Sequence, residues 1–191
     1  MSPMFKPTHK HRLARAPRPG PWCERVHLPD QRELWIRPIT AADAEPIQAG
    51  FALLHPDEIR KRYGYAMKEI SNEYAHRLCH PLPGRDFVLV ATDPMPPGQA
   101  LVGAVARLVM DDDGHGAEFA ILVSHFLAGQ GLGRHLLCRL IQWGRRKRLR
   151  EIHGDVLADN HPMLELAHAL GFVRDNNHEP DDMVHVRLRL R

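Results

Sequence analysis

Three features of this sequence combine residue types and spacings suited to chemistry. The first is the turn Gly129-Gln130-Gly131-Leu132-Gly133-Arg134, which follows the apolar run Ala117–Val123 and opens a long amphipathic segment. Glycines let a backbone approach a ligand and adopt positive φ. Free N–H groups at a helix start then face negative charge. A diphosphate suits such a seat, and Arg134 adds a cation to it. Two other phosphate motifs fit less well. A P-loop needs Gly-Lys-Ser/Thr, whereas Gly133 is followed by Arg134-His135, and a dinucleotide fingerprint wants glycine where Arg134 stands. A tight strand–helix turn without any ligand has the same glycine spacing. The second feature is Glu118, an acid inside an apolar strand. Burial would raise its pKa toward the range of a working general base, while the competing reading is an edge glutamate paired to an arginine. The third is Asn160, ahead of His161-Pro162, which serves either as helix N-cap or as a polar ligand at the site.

Other candidates carry less. Of the 14 histidines, His76 and His80 are spaced i,i+4 and His9-Lys10-His11 clusters near the start, but no third ligand has recognisable spacing, so no metal site is expected. Cys23, Cys79 and Cys138 form no CxxC pair or disulfide framework, which points to a reducing, cytoplasmic setting. A net charge of +3 does not argue for nucleic acid, and the run Arg145-Arg146-Lys147-Arg148 suits a helix C-terminus without interleaved aromatics. No stretch reaches the ~18 apolar residues of a membrane span.

The elements that position these residues follow from periodicity and punctuation. The 191 residues suit one domain with a short extension. Residues 1–25 are expected to be a disordered basic tail and 26–191 the folded domain, because Lys6, Lys10, Arg12, Arg15 and Arg18 precede the first acid, Glu24. A strand at Glu33–Arg37 ends at Pro38, and Thr40 caps a helix over Ala41–Leu54. Helices follow at Pro56–Arg62, with proline in its first turn, and at Ser71–Cys79. Apolar runs at Phe87–Thr92, Ala100–Met110 and Ala117–Val123 read as strands covered on both faces. A helix at Leu132–Leu149, a strand at Glu151–Leu157, a helix ending at Gly171 and a closing strand at Met183–Leu190 complete an α+β order with one βαβ unit at 117–157.

In this context the Gly-rich turn gains weight. Ala117–Val123 followed by Gly129–Arg134 resembles the central motif of GNAT acetyltransferases. Asp159–Leu164 through Leu170-Gly171-Phe172 resembles their next motif, and Trp35–Pro38 with Asp43 their opening strand and helix. The resemblance covers residues 31–191. A narrower match, Leu54-His55-Pro56-Asp57-Glu58-Ile59-Arg60-Lys61-Arg62-Tyr63, is similar to a stretch of the Pat-type protein lysine acetyltransferases, which act on AMP-forming acyl-CoA synthetases. Two positions depart from the pattern. Ala128 stands where the family usually has Gln or Arg, and Ala167 where its helix often carries the tyrosine that protonates the departing thiolate.

The resemblance implies the GNAT fold, a mixed and mostly antiparallel sheet flanked by helices. It also implies acetyl-CoA as co-substrate, with its pyrophosphate on Gly129–Arg134. A backbone N–H at Leu122 or Val123 would face the thioester carbonyl, and Asn160 the pantetheine arm or a water. Glu118 would be the base, since an amine attacks only when neutral and a free lysine has a pKa of about 10.4. The expected acceptor is an exposed lysine on a protein. The alternatives are a small-molecule amine and a non-catalytic module that binds acetyl-CoA.

Overall fold

In the computed structural model, residues 20–175 and 182–190 are described. Lys6, Lys10, Arg12, Arg15, Arg18 and His9–His11 of the expected tail lie outside them. The chain builds an eight-stranded sheet in the order β1-β2-β3-β4-β5-β6-β8-β7. Its strands are β1 Glu24–His27, β2 Glu33–Pro38, β3 Asp86–Thr92, β4 Val102–Met110, β5 Gly116–Val123, β6 Glu151–Leu157, β7 Val173–Arg174 and β8 Met183–Arg189. The helices are α1 Ala44–Phe51, α2 Pro56–Tyr63, α3 Asn72–Cys79, α4 Leu132–Arg146 and α5 His161–Ala169, with a 3-10 turn at Ala41–Asp43. The expected domain boundary at 25/26 falls within β1. Just ahead of that strand, Trp22 packs edge-on against Phe87 at 4.8 Å beneath the guanidinium groups of Arg139 and Arg146.

Local signals account for most element ends. Thr40 precedes the 3-10 turn, and Asp43 reaches back to accept from its N–H at 2.8 Å and its hydroxyl at 2.9 Å. Ser71 accepts from the Tyr74 N–H at the start of α3, as an N-cap serine does. Gly171, at φ 91°, supplies the left-handed residue that ends α5. Two helices are shorter than expected, α1 stopping at Phe51 and α4 at Arg146.

The sheet separates two cores. On one face Leu132, Leu136, Leu137 and Leu140 of α4, each at most 2% exposed, pack with Ile36, Leu89, Leu108 and Ile152. On the other, Ile47, Phe51, Ile59, Ala75 and Leu78 of α1–α3 cover Val88 and Val90. Arg37 and Asp43 form a buried bidentate pair with both bonds at 2.7 Å. Burial pushes the Asp43 carboxyl up, but Arg37 and Thr40 together outweigh this and hold it below the usual carboxylate range.

All neighbouring strands run antiparallel except β5 and β6. These two pair over three residues only, Gly116–Glu118 against Glu151–His153. Beyond that point β5 continues along β4 to Val123 and β6 along β8 to Leu157, so the two strands part. At the fork the Phe119 ring lies over Gly154, where a Cβ would meet it at 2.7 Å. Phe172 meets the same ring edge-on at 5.3 Å, so Phe119 has little room to yield.

Two outcomes are expected. Gly154→Ala should destabilise the fold by about 1–3 kcal/mol through overpacking, read as a lower urea midpoint; unchanged stability would show that the ring is free to move. The folded pKa of Asp43 is depressed, so its contribution is present above the unfolded carboxylate pKa of about 3.9 and fades as pH falls through the lower folded value. Asp43→Asn should therefore flatten the acid limb of a stability–pH curve below about pH 4.

Candidate active site

The parting strands open a cleft of about 700 Å³. One wall is β5 from Glu118 to Val123, and the other is formed by Asp155, Val156 and the first turns of α5. Its far end is the turn leading into α4, and α2 lies along its mouth. Strand parting leaves β5 backbone groups beyond Glu118 without sheet partners on the β6 side. Leu122 and Val123 both line this stretch.

Gly129 and Gly131 adopt φ values of 74° and 81°, the left-handed region that glycine occupies readily. Gly131 is the N-cap of α4, and no side chain bonds there. By helix geometry the N–H groups of Leu132, Gly133 and Arg134 have no intrahelical acceptor, and the residues carrying them line the cleft. Arg134 is exposed and makes no ion pair among the described residues. Uncapped donors, open space and a free guanidinium together match a diphosphate. Gly133 is helical instead; a Cβ there would lie 3.6 Å from Leu166 Cδ2 and 3.9 Å from Val123 Cγ2, ordinary contacts that point into the cleft. Gln130 is the one residue of the turn that does not line the cleft.

Glu118 lines the cleft, but it is exposed. The expectation that an apolar strand would bury it is therefore corrected. It sits at the last β5–β6 pair, opposite His153, where the separating strands admit solvent. The competing reading as an arginine partner also fails, since Glu118 has no ion pair among the described residues. Asn160 occupies the N-cap position of α5, yet its side chain makes no cap bond, and the residue lines the cleft. Its carbonyl accepts the Met163 and Leu164 N–H groups, each at 3.1 Å. Ala128 also lines the cleft, whereas Ala167 is wholly buried in the core.

The residue types alone did not reveal how α2 attaches. Glu58 accepts the His55 N–H at 2.6 Å, the backbone N–H of His125, and the His125 ring at Nδ1, 2.9 Å away. A carboxylate only accepts, so Nδ1 carries a proton. On the opposite lip Arg60 bonds Asp159 at 2.7 Å. Local spacing signalled only the bond to His55, three residues before Glu58 as in a capping box, and not the ties to His125 or Asp159. Arg60 also pairs with Asp57, as does Lys61, and Arg62 stacks over the Tyr63 ring at 4.8 Å. The run Arg60-Lys61-Arg62, which would present an open basic surface if unpaired, is thus largely neutralised within the chain. Burial, helped by the neighbouring Tyr74, pushes the Tyr63 phenol above its ordinary range, so it stays protonated.

Known proteins share this fold. The profile of the acetyltransferase (GNAT) family matches residues 52–172. The GNAT domain of S. lividans PAT superposes with a TM-score of 0.79 at 24% identity, covering 91% of this chain and 99% of that one. A cAMP-binding acyltransferase from Mycobacterium smegmatis gives 0.59 at 22% identity, covering 88% of this chain and 47% of that one. Spermidine N-acetyltransferase from Vibrio cholerae, solved with CoA and spermine, gives 0.62 at 18% identity over 82% and 95% of the two chains.

The two kinds of glycine should separate in experiment. Gly131→Ala forces a side chain into positive φ and should lower stability by about 1 kcal/mol. Gly133→Ala should fold at least as stably, by up to about 1 kcal/mol, and Gly133→Asp should fold yet lose CoA binding, because a carboxylate would enter the anion seat. Thermal denaturation and calorimetric CoA titration test both; undiminished CoA affinity in folded Gly133→Asp would remove the diphosphate assignment.

Proposed function

Because the chain belongs to the acetyltransferase (GNAT) family, we propose that it transfers acetyl from acetyl-CoA to an amine in the cleft between β5 and β6, with a protein lysine as acceptor. The observation that carries this reading is the uncapped N-terminus of α4 at the end of a parted parallel strand pair. Acetyl-CoA supplies an activated acyl thioester: the amine nitrogen bonds the carbonyl carbon, the C–S bond breaks, and the thiolate leaves with the bonding pair. The N–H groups of Leu132, Gly133 and Arg134, with the Arg134 guanidinium, hold the pyrophosphate. A backbone N–H at Leu122 or Val123 bears on the carbonyl oxygen as charge gathers there, and Asn160 holds the pantetheine arm or a water.

Glu118 takes the amine proton, directly or through a water admitted by its exposure. The thiolate needs no protein acid, since thiols have a pKa near 8.5 and the thiolate leaves readily. That matters because Ala167 offers no proton and lies in the core.

The protein-lysine reading draws on the Leu54–Tyr63 match to Pat-type enzymes and on the position of α2 along the cleft. It does not draw on an open basic surface, because Arg60 and Lys61 are paired within the chain. An AMP-forming acyl-CoA synthetase is the first candidate partner. One observation favours a small polyamine instead: Glu118 and Asp155 both line the cleft, and neither is paired with a lysine or arginine among the described residues, Asp155 meeting only His185 at 2.7 Å.

Glu118→Gln should keep acetyl-CoA affinity and lower turnover by about 10²-fold or more at pH 7. The deficit should shrink as pH nears the lysine pKa of about 10.4, where neutral amine is plentiful. Normal turnover at pH 7 would reassign Glu118 to structure. Incubation with labelled acetyl-CoA, a purified acyl-CoA synthetase and spermidine should label protein lysine; label confined to spermidine would favour the small-amine reading.

A further inference from the structure

A second cavity lies on the α1–α3 side of β5, beside the cleft. It measures about 40 Å³ and is walled by Phe51, Ile70, Tyr74, Leu78 and Val105. Arg62, Tyr63 and Leu122 line both it and the cleft, so the two spaces adjoin at these residues. Leu122 pairs with Val105 across β4 and β5, which fixes the cavity behind one backbone position of β5. Phe51, Ile70 and Leu78 are 4%, 6% and 8% exposed, and the Tyr63 ring meets Phe51 and Tyr74 edge-on at 6.1 Å each.

Close-packed interiors hold few voids larger than a water, and apolar ones stay dry and accept apolar guests. About 10–15 Å³ is enough for one water-sized group. A cavity of about 40 Å³ therefore takes two or three heavy atoms.

We propose that this cavity seats the tail of an acyl group one or two carbons longer than acetyl, so that the protein uses propionyl- and butyryl-CoA as well as acetyl-CoA. The inference rests on the coenzyme reading above, which puts the acyl carbonyl at the backbone of Leu122 or Val123. A substituent on that carbonyl carbon begins beside Leu122, the residue that walls both spaces. The lining selects hydrocarbon: an acyl group ending in a carboxylate would be stripped of water among Phe51, Ile70 and Leu78. Arg62 is the one cation in the lining, and its guanidinium is already stacked on Tyr63. Chains of six carbons exceed the available room.

The test is calorimetric titration of the full chain with acetyl-, propionyl-, butyryl-, hexanoyl- and succinyl-CoA. Affinity should rise about fourfold per added carbon up to butyryl, the value for one buried methylene, then fall at hexanoyl, with succinyl-CoA weaker than butyryl-CoA. Leu78→Phe fills the cavity and should abolish the rise while acetyl-CoA affinity holds within about twofold. Ile70→Ala enlarges it and should move the optimum toward longer chains, so either folded variant decides the matter. Acetyl-CoA binding with no chain-length response, a response unchanged in both variants, or preference for succinyl-CoA would overturn the inference alone. Failure to bind any acyl-CoA would overturn it together with the coenzyme reading.

Discussion

The parting of β5 from β6 is the constraint on which the rest of this molecule depends. A parallel pair that stays in register satisfies its own backbone groups and offers nothing to a ligand. Here the pair ends after Glu118 and His153, and the Phe119 ring over Gly154 occupies the fork. Each strand keeps its outer neighbour, β4 or β8, so the sheet does not fail. The inner edges are left facing each other across a gap. Both helices that frame the ligand seat, α4 and α5, begin beyond the parted ends.

The same fork explains how charge is distributed. Several ionised groups away from it are matched: Arg37 with Asp43 in the interior, Arg60 and Lys61 with Asp57 and Asp159 at the rim. Inside the cleft Arg134 at one end and Glu118 at the other have no ionic partner among the described residues. A cation beside uncapped N–H groups suits a phosphorylated ligand, and a carboxylate some way along β5 suits a protonated amine. The cleft thus has a polarity along its length, with Leu122 and Val123 between the two ends.

Helix α2 adds a third element. Among its residues only Ile59 is buried, so polar bonds do much of the work of holding it: Glu58 to the turn after β5, and Arg60 to the turn after β6. These bonds hold it across the two lips of the cleft. Its last residue, Tyr63, belongs at once to the cleft wall and to the second core, so a single ring couples ligand space to interior packing.

Much of this was legible from sequence because the relevant forces act over a few residues. Apolar periodicity marked the strands and helices, Ser71 and Gly171 marked helix ends, and Gly129-Gln130-Gly131-Leu132-Gly133 marked the tight turn into α4 through the φ freedom of glycine. Other features were decided only when distant segments met. Glu118 sits in an apolar run, and its exposure depends on where β6 leaves, over thirty residues later. Asn160 has an N-cap residue type, yet it makes no side-chain cap bond and borders the cleft. Glu58 meets His125 across 67 residues and Arg60 meets Asp159 across 99. Propensity and capping are local and can be read along the chain, whereas burial, ion pairing and strand parting depend on which surfaces the tertiary fold brings together.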